Sequence, residues 1–544
     1  MPELIEQLKA LEPTFAELLA ISCAPGLSLG VLHHGEIIHT AHFGRRDSLV
    51  STPPNDDTIY RVASLTKALT SSAVALLVEE GTLDWDTPIR EYLPAFCRRT
   101  DEIGRKTTLR DLLSNRTGLP NADYMFGQQY GEFLMPRSEL VRITTFFEAV
   151  RPFREKFFYS QWNYGLVTEV VEAVIGTTLG SYIKDNILDP LAMRRTTLGR
   201  LHDENVATGH APYNDGTPCK ISFPNMNDGV GLAGGFAGKS SVKDLLLLYQ
   251  GLLKAKQDQA ETKLNYTPGL PFMHTNTIFS SHIGVGTSAE KLAYCLGWYR
   301  TQLPGPLSVA SINSGLLGPK KLPITGKSSP GLEIYHHTGN IPGFLASAFL
   351  IPSTESAVVV LANALPFMDP TDLVGQLILS VLIGEKPGTN FVPLAKTARA
   401  NGLGAYVALT AAVNKRKNTR PPRLPLTAYE GRYWNAAENF CLTIAACGAM
   451  KGAGLLMKVQ DAPRTTYYLK PYDGDTFYWP PDREKELCEK GMWLNLLATS
   501  HEIVFGASED GQNISYLKWH HDAAAKPEMF RKREPWSKGE RFRL

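Results

Sequence analysis

Ser64 and Lys67 are the residues of this 544-residue sequence whose types and spacing most directly suggest chemistry. A three-residue separation on a helix places the hydroxyl and the amine on one face, where the amine can take the proton of the hydroxyl. A serine at a helix N-terminus also has free backbone N–H groups beside it, where an acyl oxyanion would form. The pair therefore fits a serine nucleophile with its base, and it equally fits an N-cap serine followed by a solvated lysine.

The S-x-x-K spacing does not decide between these two interpretations. The sequence contains it five times, at Ser64/Lys67, Ser181/Lys184, Ser240/Lys243, Ser288/Lys291 and Ser515/Lys518. Because serine caps are common at helix starts, the local pattern alone favours the cap.

Two distant stretches change that balance. Tyr159 lies in FFYSQWNYG, where a run of aromatic residues precedes a predicted helix. His337, Thr338 and Gly339 lie in HHTGNIPGF at the end of a predicted strand, where a small residue and a flexible backbone leave room for a substrate. Core packing is the alternative for Tyr159, since buried aromatic runs are common.

Three stretches together resemble, in the correct order, the motifs of the class C beta-lactamase and serine D-peptidase family, which includes fungal transesterases. They are Ser64-Leu65-Thr66-Lys67, Tyr159-Ser160-Gln161 and His337-Thr338-Gly339. TLRDLLSNRTGLP resembles the family's helix and loop between the first two motifs, and GLAGGFAGKSSVKDLL resembles its glycine turn. The similarity spans about residues 20–390 and favours the catalytic interpretation of Ser64 and Lys67.

The resemblance implies a role for each of the central residues. Ser64 would attack the carbonyl of an ester, amide or thioester and carry the acyl group. Lys67 and Tyr159 would share the role of base. The backbone N–H groups of Ser64 and Asn340 would form the oxyanion hole.

His337 stands where true beta-lactamases have a lysine, and the resemblance places it among the catalytic residues. The loss of that positive charge argues against a site built for the fixed carboxylate of penicillins. Because neighbouring residues of a strand face opposite ways, the motif register directs His337 into the cleft and leaves His336 behind the sheet.

Substrate contacts are expected from Gln161, Thr338, Gly339 and Tyr124. Gln161 replaces the asparagine that is usual in the family, and its longer side chain is expected to displace the amide contact. Asn163 is an alternative donor if the helix turns it inward. For Tyr124, core packing is the alternative.

The elements that must position these residues come from both ends of a long segment. A hairpin is predicted around His34–Gly35, a helix over residues 66–80, and strands again between about 290 and 365. This order predicts an α/β (α+β) fold with one antiparallel sheet, flanked by helices and carrying an inserted helical subdomain. By resemblance it is a beta-lactamase/transpeptidase-like sheet. Residues 250–290 show no periodicity long enough for a core element and are expected either to edge the cleft or to form a surface loop.

The length predicts two domains, and a linker is predicted between them. Residues 1–395 are assigned to the catalytic domain. Residues 396–426 include the basic, proline-containing stretch NKRKNTRPPRLP and are assigned to the linker. Residues 427–544 contain short aromatic-rich runs separated by turns, which is typical of a small antiparallel β-barrel. That barrel resembles the lipocalin-like extension of some members of the family.

Composition and charge limit the partners. With a formal charge of +2, the chain has no electrostatic reason to bind nucleic acid or a membrane. No segment reaches the roughly twenty apolar residues of a membrane span. Seven scattered cysteines favour a reduced, cytoplasmic location. No metal and no cofactor is expected, because no Cys/His spacing fits zinc and the glycines of GLAGGFAGKS lack a phosphate-loop pattern.

The sequence predicts a serine hydrolase or acyl-transfer enzyme that acts on a small-molecule ester, thioester or peptide-like substrate. A transesterase of secondary metabolism, taking an acyl-thioester donor and an alcohol acceptor, is one alternative. A non-catalytic, ligand-binding member of the fold is the other. The acyl donor and acceptor, the role of the barrel and the oligomeric state stay open.

Overall fold

The structure is a computed structural model that describes residues 2–125, 129–131, 133–222, 226–287, 289–385, 390–418, 420–447 and 454–533. The chain forms two compact units. The first consists of Met1–Leu119 with Arg151–Leu403, and the second of Pro120–Val150 with Gly404–Leu544. All three sequence motifs lie in the first unit.

The helices within the described residues are α1 (Pro2–Ala10), α2 (Glu12–Ser22), α3 (Thr66–Glu79), α4 (Glu102–Lys106), α5 (Leu109–Leu113), α6 (Leu140–Thr144), α7 (Gln161–Ile175), α8 (Leu179–Ile183), α9 (Ala233–Phe236), α10 (Val242–Thr262), α11 (Thr275–Ile278), α12 (Ile312–Leu317), α13 (Pro370–Leu382) and α14 (Phe391–Arg416).

The strands of the first unit are β1 (Gly26–His33), β2 (Glu36–Gly44), β3 (Tyr60–Arg61), β4 (His210–Pro212), β5 (Pro218–Lys220), β6 (Lys239–Ser240), β7 (Ile283–Gly284), β8 (Leu292–Tyr294), β9 (Tyr299–Gln302), β10 (Gly305–Pro306), β11 (Ile324–Thr325), β12 (Glu333–Ile341), β13 (Phe344–Ile351) and β14 (Ser356–Ala362). Those of the second unit are β15 (Gly431–Trp434), β16 (Cys441–Cys447), β17 (Gly454–Val459), β18 (Thr466–Asp473), β19 (Thr476–Tyr478), β20 (Glu502–Ala507), β21 (Ile514–Trp519) and β22 (Glu528–Arg533).

One antiparallel sheet joins the two ends of the first unit in the order β2-β1-β14-β13-β12-β9-β8-β7. β1 pairs with both β2 and β14, so Leu29 lies opposite Ala41 on one side and Val360 on the other. The β1–β2 hairpin turns at His34 and Gly35, whose φ angles of 50° and 73° suit a turn that needs two left-handed residues. The predicted fold class and the predicted hairpin are confirmed.

Helices cover both faces of this sheet. Leu29 belongs to a core formed with α2 and α13, whose members include Phe15 and Leu377. Gly30 faces the opposite side, where a Cβ atom would lie 2.5 Å from Val242 Cγ1 of α10. The glycine thus allows α10 to lie directly against the sheet.

Three assignments made from the sequence differ from the structure. Residues 250–262 continue α10 and bury Leu252 and Leu253, so they are not a loop. The stretch assigned to the linker, 396–426, is helical as far as Arg416 because α14 runs through it. Residues 120–150 belong to the second unit rather than to the catalytic one.

The continuation of α14 has a physical cause. Tyr406, Leu409 and Val413 recur at helical spacing and are buried in a cluster with Tyr472 and Tyr478 of the second unit. This apolar face favours a helix up to the basic residues that precede the prolines. Burial of this helix face therefore extends α14 to Arg416, into the stretch that the basic and proline residues assigned to a linker.

Strands β15 to β22 form a closed barrel. Each strand pairs antiparallel with the next, and β22 pairs back with β15. The predicted small antiparallel barrel is confirmed. An eight-stranded barrel has an interior that side chains fill, or that holds one small ligand.

In the described part of the chain, no single helix has the length and apolar character of a membrane span. Two consecutive helices, Gln161–Ile175 and Leu179–Leu188, reach that length and apolar composition only when taken together, and the chain bends by 77° between them.

Replacing Leu29 by alanine tests the core beneath the sheet. Leu29 has no solvent exposure, so we expect Leu29→Ala to lower the free energy of unfolding of the first unit by about 2–5 kcal/mol. Urea unfolding followed by circular dichroism measures the change. Leu49→Ala is the control, because that leucine is 78% exposed and its loss should change stability by less than about 0.5 kcal/mol. Equal effects of the two substitutions would contradict the assigned core.

Candidate active site

Ser64 lies in a tight 3-10 turn, Ala63–Leu65, that leads directly into α3. Ala63 has a φ of 46°, a left-handed conformation that a residue with a side chain adopts at a cost of about 1–3 kcal/mol. Two contacts hold the turn in place. Thr66 Oγ1 donates to the carbonyl of Ala63 at 2.5 Å, and the N–H of Gly238 donates to Thr66 Oγ1 at 2.9 Å.

The Lys67 amine is fully buried and lies among three oxygen atoms. Its Nζ is 3.0 Å from Ser64 Oγ, 2.9 Å from Gln161 Oε1 and 2.8 Å from the carbonyl oxygen of Gly235. None of these three partners is a carboxylate. Burial lowers the pKa of Lys67 well below its usual 10.5. Once deprotonated, the amine has two hydrogens for Gln161 Oε1 and the Gly235 carbonyl and a lone pair that can accept the Ser64 hydroxyl.

Tyr159 is the second group on the serine. Its hydroxyl donates to Ser64 Oγ at 2.8 Å, and its ring centre lies 4.9 Å from Lys67 Nζ. Asn115 anchors the segment just after the tyrosine, because its Oδ1 accepts the backbone N–H of Ser160 at 3.1 Å. One hydroxyl, one amine and one phenol thus meet at a single point, as the motifs suggested.

Gln161, the first residue of α7, makes the amide contact to Lys67 despite its extra methylene. Asn163 does not replace it. Its Oδ1 accepts from Thr117 Oγ1 at 2.8 Å, and its Nδ2 donates to Asn115 Oδ1 at 2.9 Å. The longer side chain therefore still reaches Lys67, and Asn163 supports the loop behind it.

The third motif lies on β12, against the turn that carries Ser64. A Cβ atom at Gly339 would lie 2.3 Å from the carbonyl oxygen of Val62, so this close approach requires glycine. Thr338 Oγ1 donates to the carbonyl of Ala310 at 2.7 Å, which makes its hydroxyl an anchor for a neighbouring loop. Asn340 follows on the same strand, and the oxyanion role of its N–H stays a prediction.

His337 is buried and uses both ring nitrogens. Nδ1 lies 2.7 Å from the carbonyl oxygen of Thr338, so it carries the proton, and Nε2 accepts from the Tyr294 hydroxyl at 3.1 Å. Burial lowers the pKa of His337 to about 3. The ring is therefore neutral, and its described hydrogen bonds reach neither Ser64 nor Lys67.

His336 faces the other side of the sheet. Its ring stacks on Phe349 with centroids 6.0 Å apart, and its Nε2 pairs with Thr301 Oγ1 at 2.9 Å. The alternation of the strand thus separates the two histidines as expected. Tyr124, also expected to contact the substrate, belongs to the second unit on the short helix Asp123–Met125. Its side chain lies outside the described part of the structure.

Two contributors escaped the sequence-based assignment. Tyr294 binds His337 and packs against Tyr159 and Phe157, with ring centroids 6.4 and 5.0 Å away. The Gly235 carbonyl holds Lys67. For Gly235, the signal was the resemblance of GLAGGFAGKS to the family's glycine turn. For Tyr294, the sequence offered only the aromatic character of the stretch YCLGWYR, which does not single out one residue.

A second serine, histidine and aspartate also lie in line. His42 Nδ1 is 2.9 Å from Ser28 Oγ, and its Nε2 is 2.8 Å from Asp56 Oδ1. Ser28 has no solvent exposure and also pairs with the Tyr60 hydroxyl at 2.9 Å. No substrate carbonyl can reach a hydroxyl inside the sheet, so this arrangement is structural.

Known protein families match both parts of the chain. Residues 11–382 match the family described as Beta-lactamase. The chain belongs to the beta-lactamase family. Residues 415–534, which contain the barrel, match a domain of unknown function, DUF3471.

Relatives of this beta-lactamase family member include named hydrolases. The unguisins hydrolase ungD of Aspergillus violaceofuscus is 27% identical over 461 residues, which cover 77% of this chain and 73% of the relative. Esterase EstB of Burkholderia gladioli is 29% identical over 213 residues, which cover 37% of this chain and 52% of the esterase. The octameric penicillin-binding protein homologue from Pyrococcus abyssi shares the fold, with a TM-score of 0.56, 19% identity and coverage of 96% of this chain and 99% of that one.

The lowered pKa of Lys67 predicts a specific dependence of stability on pH. The unfolded chain binds a proton at Lys67 up to about pH 10.4, while the folded chain does not above its lowered pKa. Between those limits the unfolded state holds one more proton, so stability must rise with pH. We expect wild type to gain about 1.4 kcal/mol per pH unit relative to Lys67→Met.

Urea unfolding of both proteins at several pH values between 7 and 9 measures the two slopes. Lys184→Met is the matched control, because Lys184 is an exposed lysine of another S-x-x-K pair and should leave the wild-type slope unchanged. Parallel slopes for wild type and Lys67→Met would show that the amine stays protonated in the folded protein.

Proposed function

We propose that the protein is a serine hydrolase that forms an acyl-enzyme on Ser64 with a small ester or peptide-like substrate. One observation carries the proposal: Ser64 Oγ lies within hydrogen-bonding distance of both a buried amine and a phenol. A serine hydroxyl is a poor nucleophile until a neighbour takes its proton, and a neutral lysine can do so.

The proposed reaction has two steps. Ser64 Oγ attacks the substrate carbonyl as its proton passes to Lys67, and the N–H groups of Ser64 and Asn340 stabilise the oxyanion. The leaving group takes a proton from Lys67 or Tyr159 as its bond to the carbonyl breaks. Water then attacks the acyl carbon and gives a proton to Lys67. As the bond from the acyl carbon to Ser64 Oγ breaks, that proton passes to Oγ, which releases a carboxylic acid and free Ser64.

The charge of the cleft bears on the substrate. With His337 neutral and bound to Tyr294, this position offers no cation to a substrate carboxylate. We therefore propose a neutral acyl group as the substrate class, which agrees with an ester or a peptide-like amide.

Water is the proposed acceptor. Two relatives are named as unguisins hydrolases and one as an esterase, which supports hydrolysis over transfer to an alcohol. A transesterase is tested by product analysis with an acyl-thioester donor, with and without candidate alcohols. If ester products form at the expense of free acid, the acceptor in the second step is an alcohol and not water.

Covalent labelling tests the nucleophile. We expect a fluorophosphonate probe to add one mass increment to the intact wild-type chain and none to Ser64→Ala. Ser181→Ala is the matched control, because Ser181 also precedes a lysine by three residues on a helix, and this variant should be labelled like wild type. Absence of a Ser64-dependent mass gain would favour a non-catalytic binding protein.

The neutral histidine predicts a preference that can be measured with one pair of compounds. We expect Ser64 to be acylated faster by the methyl ester of benzylpenicillin than by its free acid, because no cation meets the carboxylate. His337→Lys should shift the ratio of the two rates toward the acid by about tenfold, the effect of one charge-assisted contact.

His337→Gln is the control for that substitution, since it alters the ring without adding charge and should leave the ratio as in wild type. Acylation rates are followed by intact-mass spectrometry. An unchanged ratio in a folded His337→Lys protein would mean that this position does not face the substrate.

A further inference from the structure

The second unit contains a cavity of about 290 Å³. Its walls come from three parts of that unit: residues 121–123, residues 479–501 between β19 and β20, and residues 519–523 at the end of β21 and beyond. Tyr467 of β18 also lines it. The cavity therefore lies at one end of the barrel, where the loops between strands meet. None of the residues proposed to act on the acyl group belongs to it.

Aromatic side chains form one wall. Trp479 lies at the centre, with ring centroids 4.7 Å from Tyr467, 5.1 Å from His501 and 6.1 Å from Trp519. The indole N–H of Trp519 donates to the carbonyl of Ser500 at 2.8 Å, so its orientation is fixed. Such a wall presents flat faces to an apolar ligand and negative π-faces to a cation.

Carboxylates form a second wall. Asp522 Oδ2 accepts the backbone N–H groups of Asn121 at 3.1 Å and Ala122 at 3.0 Å, while Asp123 Oδ2 accepts from the Asn121 side chain at 2.6 Å. Among the described ion pairs, neither aspartate has a cationic partner. Burial and the neighbouring Asp522 charge raise the pKa of Asp123 to about 7.

Glu486 adds a third acid, and its oxygens are already occupied. Oε2 accepts from the Tyr406 hydroxyl at 2.5 Å, and Oε1 lies 3.3 Å from both Trp479 Nε1 and His501 Nε2. These contacts fix the indole of Trp479. Glu486 is thus a positioning residue. Asp522 also uses its second oxygen, since Oδ1 accepts the backbone N–H of Ala524 at 2.9 Å, but neither Asp522 nor Asp123 has a cationic partner among the described ion pairs.

We infer that this cavity binds a small organic cation, a primary amine carried on an aromatic or aliphatic body. The ammonium group would lie between Asp123 and Asp522, and the body would lie against Trp479. Carboxylates disfavour an anion at the same place. A metal ion is a poorer match, because the described residues contain no group of three or more His, Cys, Asp or Glu side chains arranged to hold one.

Three compounds of matched shape test the charge preference: 4-phenylbutylamine, 4-phenylbutanol and 4-phenylbutyrate. Isothermal titration calorimetry with the full chain at pH 8 measures their affinities. We expect saturable binding of the amine, at least about tenfold tighter than the alcohol, with the butyrate weakest. Equal affinities, preference for the butyrate, or no saturable binding of the amine would overturn the inference.

Two variants locate the site. Asp123→Asn keeps the size of the side chain and its place beside Asn121, and it should weaken amine binding at least about tenfold while leaving alcohol binding within twofold. Glu509→Gln, at an exposed position between β20 and β21, should bind the amine like wild type. Amine binding that is unaffected by Asp123→Asn would overturn the assigned cavity. Thermal unfolding of each variant verifies the fold, and Ser64→Ala should bind as wild type does.

Discussion

The burial of one amine constrains the first unit more than any other interaction. Removing a lysine from water costs several kcal/mol unless its hydrogens find acceptors or it gives up its proton. Lys67 meets that requirement with oxygens from the turn before α3, from α7 and from α9, the last two lying 94 and 168 residues away along the chain. The packing of these three helices is therefore also what aligns the proposed base with the nucleophile.

Two glycines show how closely that alignment is built. A Cβ atom at Gly235 would lie 2.8 Å from Gln161 Oε1, and one at Gly339 would lie 2.3 Å from the Val62 carbonyl. Either side chain would displace an amide or a backbone segment that touches the serine turn. The turn itself carries the strain of Ala63, which its contacts with Thr66 and the Gly238 segment must offset. Close packing and local strain thus serve the same purpose, to present Ser64 beside its base.

The sequence identified what local patterns encode. Ser64, Lys67 and Gln161 lie at helix starts, and the strand register separated His337 from His336, so spacing and resemblance sufficed for them. A carbonyl such as that of Gly235 has no side-chain signature, and the partner of His337 depends on which strands become neighbours. The wrong assignments also depend on tertiary packing. Buried faces stabilise α14 and the end of α10, and tertiary contacts place residues 120–150 in the second unit.

The two proposed sites favour ligands of opposite electrostatic character. Around Ser64, burial disfavours positive charge: it lowers the pKa of Lys67 well below its usual value and that of His337 to about 3. The Tyr294–His337 pair supplies a hydrogen-bonded group without charge. The barrel cavity instead contains Asp123 and Asp522, which have no cationic partner among the described ion pairs. Hydrolysis of an ester at Ser64 would release a carboxylate, which those acids repel, so product from the first unit would not compete for the amine site. Hydrolysis of an amide would release an amine as well, and only this product has the charge that the barrel cavity accepts.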